Sequence, residues 1–315
     1  MTLWLLAAAG FAGLLPFVHG AWAKPGVRQL AWRSCTRRPR QAFAVVLGAV
    51  LATAIVTSAS VVGDSLRASV RRSAVTQLGP VDEEIVGVGL DRGPAIESAV
   101  DRARLSDTDG TLPLVALLAT VRGRDFIPRV AQAQVVEIDF ARAERFGNNP
   151  SATGISGPTP TDGTAVISAD LSAAIAIKPG HRVTISAFGT ERTFRVARGL
   201  PRLGVAGLAT PLSPPGSASL NLFVPPGTFA SMLAASANEP AGAQAIPLSI
   251  VAISNTGRES GDARKSAAVT SELRAATAAL DTVIHPVKQQ LLDDADHRSR
   301  SFTDLFRAFG IFGAL

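Results

Sequence analysis

The sequence predicts an α+β extracytoplasmic domain carried on helical stalks and attached to transmembrane α-helices. Three observations predict it. Ala42 to Gly63 is a run of 22 residues without a charge, and Lys24, Arg28, Arg33, Arg37, Arg38 and Arg40 stand just before it. Val81 to Ile284 alternates short β-branched segments with Ala-rich helical ones. After Pro286 a helical pattern returns and leads into the apolar residues Phe302, Leu305, Phe306, Phe309, Ile311 and Phe312.

The N-terminal segment, residues 1–23, admits three readings. Leu3 to Val18 followed by Ala21-Trp22-Ala23 has the apolar stretch and small-residue site of a signal peptide, but Met1 to Trp4 lacks the positive start. A short transmembrane helix would place the arginine cluster in the cytoplasm, although sixteen residues fall short of the roughly 20 a bilayer core asks for. A helix lying in the interface would use Trp4, Trp22 and Trp32 as belt residues. The last two readings are preferred to the signal peptide.

Residues 24–41 read as a basic amphipathic helix on the cytoplasmic surface, with Val27, Leu30 and Ala31 on one side and a stop before Pro39. Residues 42–63 then supply about 33 Å of helix, enough to span. Arg33, Arg37, Arg38 and Arg40 set its direction, outward from the cytoplasm. Gly48, Ala52, Ala54 and Ser58 form a small-residue face suited to a partner helix. Beyond Asp64, the residues Leu66, Val70, Ala74 and Leu78 recur every fourth position, so residues 64–80 read as a stalk stopped by Gly79-Pro80. A separate surface helix is the alternative.

The α+β domain occupies residues 81–285. Strands are expected at Ile85–Val88, Leu114–Val121, Val130–Phe140, Ala165–Ser168, Val183–Phe188, Thr193–Ala197, Leu220–Val224 and Ile246–Ile253, with a hairpin turn at Gly189-Thr190. Helices are expected at Pro94–Arg104, Ala169–Ala176, Pro226–Ala235 and Gly261–Leu280. The Gly/Pro/Ser-rich stretches Asn148–Gly163 and Pro211–Ser219 read as exposed loops. Residues 286–301 read as a return stalk and 302–315 as the start of a further transmembrane helix, too short to span as it stands.

Composition narrows the function. The chain has 315 residues, 47% of them hydrophobic, so it can bury a sizeable core besides any span. Its net charge of +6 does not indicate nucleic acid, because much of the excess sits in the juxtamembrane cluster and there is no Tyr to stack bases. The single cysteine, Cys35, excludes an intrachain disulfide; it reads as an inert thiol, with juxtamembrane lipidation as the other option. No phosphate-binding glycine-lysine loop, nucleophile elbow, HExxH, EF-hand loop or dinucleotide-binding turn occurs. The four histidines are scattered, and Glu83-Glu84 and Asp293-Asp294 read as solvated surface pairs. No enzyme activity, metal or cofactor is expected.

Leu30-Ala31-Trp32-Arg33 through Arg37-Arg38-Pro39-Arg40, then Gly63-Asp64-Ser65-Leu66 where a span becomes a stalk, occur in an order that resembles the FtsX/MacB-like permeases of ABC transporters. Ala165-Val166-Ile167-Ser168 with Leu171 and Lys178-Pro179-Gly180-His181-Arg182-Val183 is similar to a segment of their extracytoplasmic core, with His181 where an acidic residue is common. Phe302 to Gly313 looks like the start of the permease's three-helix membrane block. The resemblance runs from about Gly26 to the end, and the apolar N-terminal segment departs from it. It implies the membrane subunit of a transporter in a bacterial plasma membrane. It implies a separate cytoplasmic ATPase subunit that binds ATP, a permease dimer, and motion passed through rigid stalks, with Arg33, Arg37, Arg38, Arg40, Gly48, Ala52, Asp64, Leu66, Val70 and Leu78 setting topology and coupling. The competing reading is a membrane-anchored extracytoplasmic sensor or binding protein without transport.

Overall fold

From Pro39 to Leu78 the backbone is one uninterrupted helix, α1. The structure, a computed structural model, describes residues 36–123, 130–147, 149–208, 220–236, 246–257 and 265–294, with positions 26, 29, 32, 33, 296 and 297 besides. Pro39 takes the first helical position, where its missing N–H costs nothing and its fixed φ suits the helix, and the preceding Arg38 is not helical. Thr53 and Thr57 return their hydroxyls to the carbonyls of Ala49 and Thr53 at 2.8 Å, so neither polar group needs an outside partner. Phe43, Val45, Val46, Leu47, Val50 and Leu51 are exposed. Among the described residues no helix is long and apolar enough to cross a membrane. Residues 1–25, the loop 211–219 and the segment 302–315, each assigned a role above, lie outside the described residues.

The chain divides into two units, residues 1–66 with 299–315 and residues 67–298. The second holds a mixed α/β fold of nine strands. They are β1 (Glu83–Val88), β2 (Thr108–Gly123), β3 (Val130–Ile138), β4 (Thr164–Ser168), β5 (Arg182–Ala187), β6 (Thr190–Leu200), β7 (Asn221–Val224), β8 (Leu248–Asn255) and β9 (Val283–His285). Its helices are α2 (Arg92–Ala103), α3 (Phe140–Ala143), α4 (Ala169–Ile175), α5 (Thr228–Ala235) and α6 (Ser266–Thr277).

Six strands close on themselves. Pairings run β2–β3, β3–β7, β7–β4, β4–β6, β6–β5 and β5–β2, which returns to the start and leaves no edge. Every second residue points inward: Leu117, Ala119 and Val121 from β2, Ala133 and Val135 from β3, Ala165 and Ile167 from β4, and matching residues of β5, β6 and β7 fill one apolar core. Leu171 and Ile175 of α4 and Phe229 and Met232 of α5 join it. Ser168 caps α4 by accepting from Leu171 N, and Glu137 accepts from Gly227 N and Phe229 N at the start of α5.

The long β2 also serves a second assembly. Its first half pairs with β8, β8 with β1, and β1 with β9, making a sheet that ends on a three-residue strand. Helices α2 and α6 cover one face of this sheet, where Ile96, Val100, Val269 and Leu273 meet Ile85, Val251 and Ile253. The opposite face packs Leu78, Val81, Val86, Leu112, Ile250 and Ala252 into a core shared with the outside of the ring.

All eight expected strands and four expected helices are present, with shifted ends. The hairpin turn lies one residue earlier than expected, at Phe188 (φ 52°) and Gly189 (φ 75°), because both left-handed positions precede Thr190. The stretch 148–163 is not simply an exposed loop. Thr153 and Ile155 are buried, and a short 3-10 turn at Pro150–Ala152 packs against the end of α1.

Candidate functional site

Helix α1 ends inside the domain. Gly79 adopts φ 55°, its N–H donates to Val75 O at 2.9 Å, and Pro80 prevents continuation. A Cβ at Gly79 would overlap the Ala152 carbonyl oxygen, so the fit requires glycine in space as well as in φ. Leu78, Gly79, Pro80 and Val81 are all buried.

Three carboxylates follow at once, Asp82, Glu83 and Glu84, and all three are fully buried. Strand β1 is the reason. It lies between β8 and β9 in a sheet covered by α2 and α6 on one face and by the shared core on the other, so residues that alternate across the pleat find protein on both faces: Asp82 and Glu84 on one, Glu83 on the other. The expectation of a solvated Glu83-Glu84 pair is therefore corrected. Adjacent acids in sequence do point apart, but each points into packed structure.

A buried carboxylate must be paired, hydrogen-bonded or neutral. The three residues meet that demand in three ways. Asp82 Oδ1 lies 2.7 Å from Lys288 Nζ, with both side chains 1% exposed, and its Oδ2 accepts from Asn255 N at 2.8 Å. Burial raises the Asp82 pKa, while the Lys288 ammonium and the Asn255 N–H oppose that rise. Glu83 Oε1 accepts from Asn255 Nδ2 at 2.9 Å and from Ser266 Oγ at the start of α6. Burial still pushes Glu83 up to about 7 against those two hydrogen bonds. Glu84 has no partner for either oxygen among the described residues, and burial alone pushes it up to about 8.

Lys288 gives the cluster its meaning. It stands two residues past Pro286, in the helical residues 287–294 that follow β9. Its backbone N–H donates to Asp82 O at 3.2 Å, and Val287 and Leu291 pack on the core that holds Leu78 and Val81. The place where the chain enters the domain and the place where it leaves are thus fastened to each other by a backbone hydrogen bond, a buried ion pair and apolar contact.

The residues singled out from the sequence lie elsewhere. Arg33, Arg37, Arg38 and Arg40 are exposed, with Arg38 3.5 Å from Gln41 Oε1. A Cβ added at Gly48 would meet nothing within 4 Å, so no partner helix packs there among the described residues. Ala52, Asp64, Leu66 and Val70 lie on the helical backbone of α1, and Leu78 is buried in the shared core. Sequence reasoning missed Asp82, Glu84 and Lys288. The available signal was three acids placed between Gly-Pro-Val and Ile-Val, where a strand must turn at least one of them inward. Among the described residues no group of three or more His, Cys, Asp or Glu is arranged to hold a metal ion.

No protein-family model matches the chain, and no curated protein sequence matches it. Similar solved structures include the periplasmic region of MacB from Actinobacillus actinomycetemcomitans, at 15% identity and a TM-score of 0.30, covering 66% of this chain and 90% of that one. The extracellular domain of the ABC-type transporter YknZ from Gram-positive bacteria is similar at 13% identity and a TM-score of 0.31, covering 63% of this chain and 92% of that one. Likeness at this level assigns no activity, partner or location to the chain.

Proposed function

We propose that this chain belongs to the membrane subunit of an ABC transporter, in which ATP hydrolysis by a separate cytoplasmic subunit moves an extracytoplasmic domain. The observation that carries the reading is the fastening of the domain's two chain ends at Asp82 and Lys288. A force arriving along α1 reaches Leu78, Gly79 and Val81, which are buried in the domain, and the ion pair passes it to the segment that leads away. Two further features support it: the uncharged run Ala42 to Gly63 inside one continuous helix, and the ordered motifs from Leu30 to Val183. A helix of this length has little internal give, which suits transmission better than mere attachment. The 22 uncharged residues are taken as the span, and the arginines before them as its cytoplasmic end. In the proposed assembly two such subunits pair, and neither provides the ATP site.

The test is an insertion of Gly-Gly-Ser between Asp64 and Arg67 in the full chain, co-expressed with a Walker-type ATPase subunit sought among the neighbouring genes. Expected are retained co-purification with the ATPase and loss of transport; unchanged transport would overturn the transmission role. Absence of any ATPase partner would leave the sensor reading in its place. Thiol labelling in a Cys35→Ser background checks the topology: Ser156→Cys is expected to react from outside and Ser34→Cys is not.

A further inference from the structure

Three buried carboxylates share one lysine. Asp82 takes Lys288, and Glu83 takes Ser266 and the Asn255 side chain, which leaves Glu84 without a donor. The register defines what faces it. Ala252 of β8 stands opposite on one side and His285 of β9 on the other, with Asp82 and Val86 next on its own strand. Val287 and Leu291 of the departing helical residues pack on the core of the same face. The charged and titratable groups on these elements are Asp82 and Lys288, committed to each other, Glu83 on the opposite face of β1, the exposed Asp293 and Asp294, and His285; none of them donates a hydrogen bond to Glu84.

Of the elements around Glu84, β9 is the weakly held one. Strand β9 is three residues long, forms the edge of the sheet, pairs with β1 alone, and is followed by Pro286, which has no N–H to give. Such a segment opens at lower cost than the strands of a closed ring. A carboxylate that must ionise will draw water by the cheapest opening, and here that opening is β9.

We propose that Glu84 is a proton-binding site that governs docking of β9: with the proton bound, β9 lies on β1, and without it β9 lifts from the sheet edge, while the Asp82–Lys288 pair keeps residues 287–291 in place. Burial pushes Glu84 up to about 8 and holds His285 below its ordinary value, so both are neutral near pH 7. The sign follows from linkage. The docked state keeps its proton up to about 8, whereas an exposed glutamate releases it near 4.5, so the docked state loses stability as pH rises between those values and gains none back above. The site stands on the fold of this unit and holds whether or not an ATPase partner exists.

Hydrogen exchange on the full chain in detergent tests it, with rates corrected for intrinsic base catalysis. Between pH 7 and 9 the protection of the β9 amides, 283–285, relative to those of β3, is expected to fall about tenfold in the natural sequence. Glu84→Gln, or Glu84→Met should the amide not fold, is expected to keep that protection at pH 9. An infrared band of protonated carboxyl at pH 7 is expected in the natural sequence and is expected to shrink in the variant to the part that Glu83 contributes. Protection at 283–285 that is unchanged up to pH 9, a loss shared equally by β3, or a carboxyl band no smaller in the variant would each overturn the proposal.

Discussion

The closed ring and the open sheet of this domain share one strand, β2, yet they are built on opposite principles. Inside the ring six strands and two helices join apolar side chains into one core, with Glu137 at its end tied to the start of α5. The sheet β8–β1–β9 instead buries three acids and a lysine at the point where the chain comes in and goes out. An apolar core is tolerant and stable, whereas a buried ion pair adds little net stability but penalises every arrangement that separates its members. The ring is therefore the rigid body. The sheet is where one particular arrangement of the two chain ends is selected.

The largest expected effect breaks that contrast directly. Lys288→Met leaves the Asp82 carboxylate buried without its cation and is expected to cost about 3–5 kcal/mol in urea unfolding of the solubilised chain. The double variant Asp82→Leu with Lys288→Met is expected to recover most of the loss, because two apolar groups need no partner. Leu171→Ala in the ring is expected to cost about 2–5 kcal/mol, with no second substitution of that kind to rescue it. Failure of the double variant to recover would mean that the pair contributes stability and not arrangement.

The next effect is one of pH. Glu83 is held up to about 7 by burial, against an unfolded value near 4.5, so the folded state binds more protons in that window. Stability is expected to fall as pH rises from about 4.5 to about 7, by on the order of 2–3 kcal/mol, and then to level off with respect to this group. Glu83→Gln keeps an acceptor for Ser266 and Asn255 and is expected to reduce the slope of that part of the curve to what Glu84 contributes. A slope unchanged in the variant would place the titration elsewhere in the sheet.

These acids also show where sequence reading stops. The eight strands and four helices were legible because periodicity is local: Val183 to Phe188 alternates, and Val269 and Leu273 sit one turn apart. Strand β9 was not legible, since Val283-Ile284-His285 is too short to display a period and is a strand only because β1 offers an edge to it. The burial of Glu83 and Glu84 was misread for the same reason. Whether an acid in a strand is solvated depends on what pairs on each side, and the pairs here come from residues 249–255 and 283–285, far along the chain. Lys288 could be matched to Asp82 only once the two chain ends were known to meet.

A smaller effect separates fit from conformation. Gly204 (φ 52°) and Gly163 (φ 72°) both occupy the left-handed region, but a Cβ at Gly204 would overlap the Ala152 carbonyl oxygen and one at Gly163 would meet nothing within 4 Å. Alanine at Gly163 is expected to cost about 1–2 kcal/mol from backbone strain alone. Alanine at Gly204 is expected to cost more, because it must also displace the backbone that Gly79 packs against. Equal costs at the two sites would mean that tight packing around the end of α1 contributes nothing.

The smallest effect belongs to an exposed ion pair between distant segments. Arg122 on β2 reaches both oxygens of Glu191 on β6, at 3.2 and 3.1 Å, on the outer surface of the ring. Their side chains are 44% and 54% exposed, against 1% for each member of the Asp82–Lys288 pair. Water and salt already solvate both groups when they part, so Arg122→Met is expected to cost about 0–1 kcal/mol and to lose even that at high ionic strength. The chemistry of the two pairs is the same, a cation against a carboxylate at close range. Only burial differs, and burial turns an optional contact into an obligatory one. A loss at Arg122 as large as that at Lys288 would show that geometry, and not exclusion from water, sets the value of both pairs, and the sheet would then have no special claim as the place where the chain ends are held.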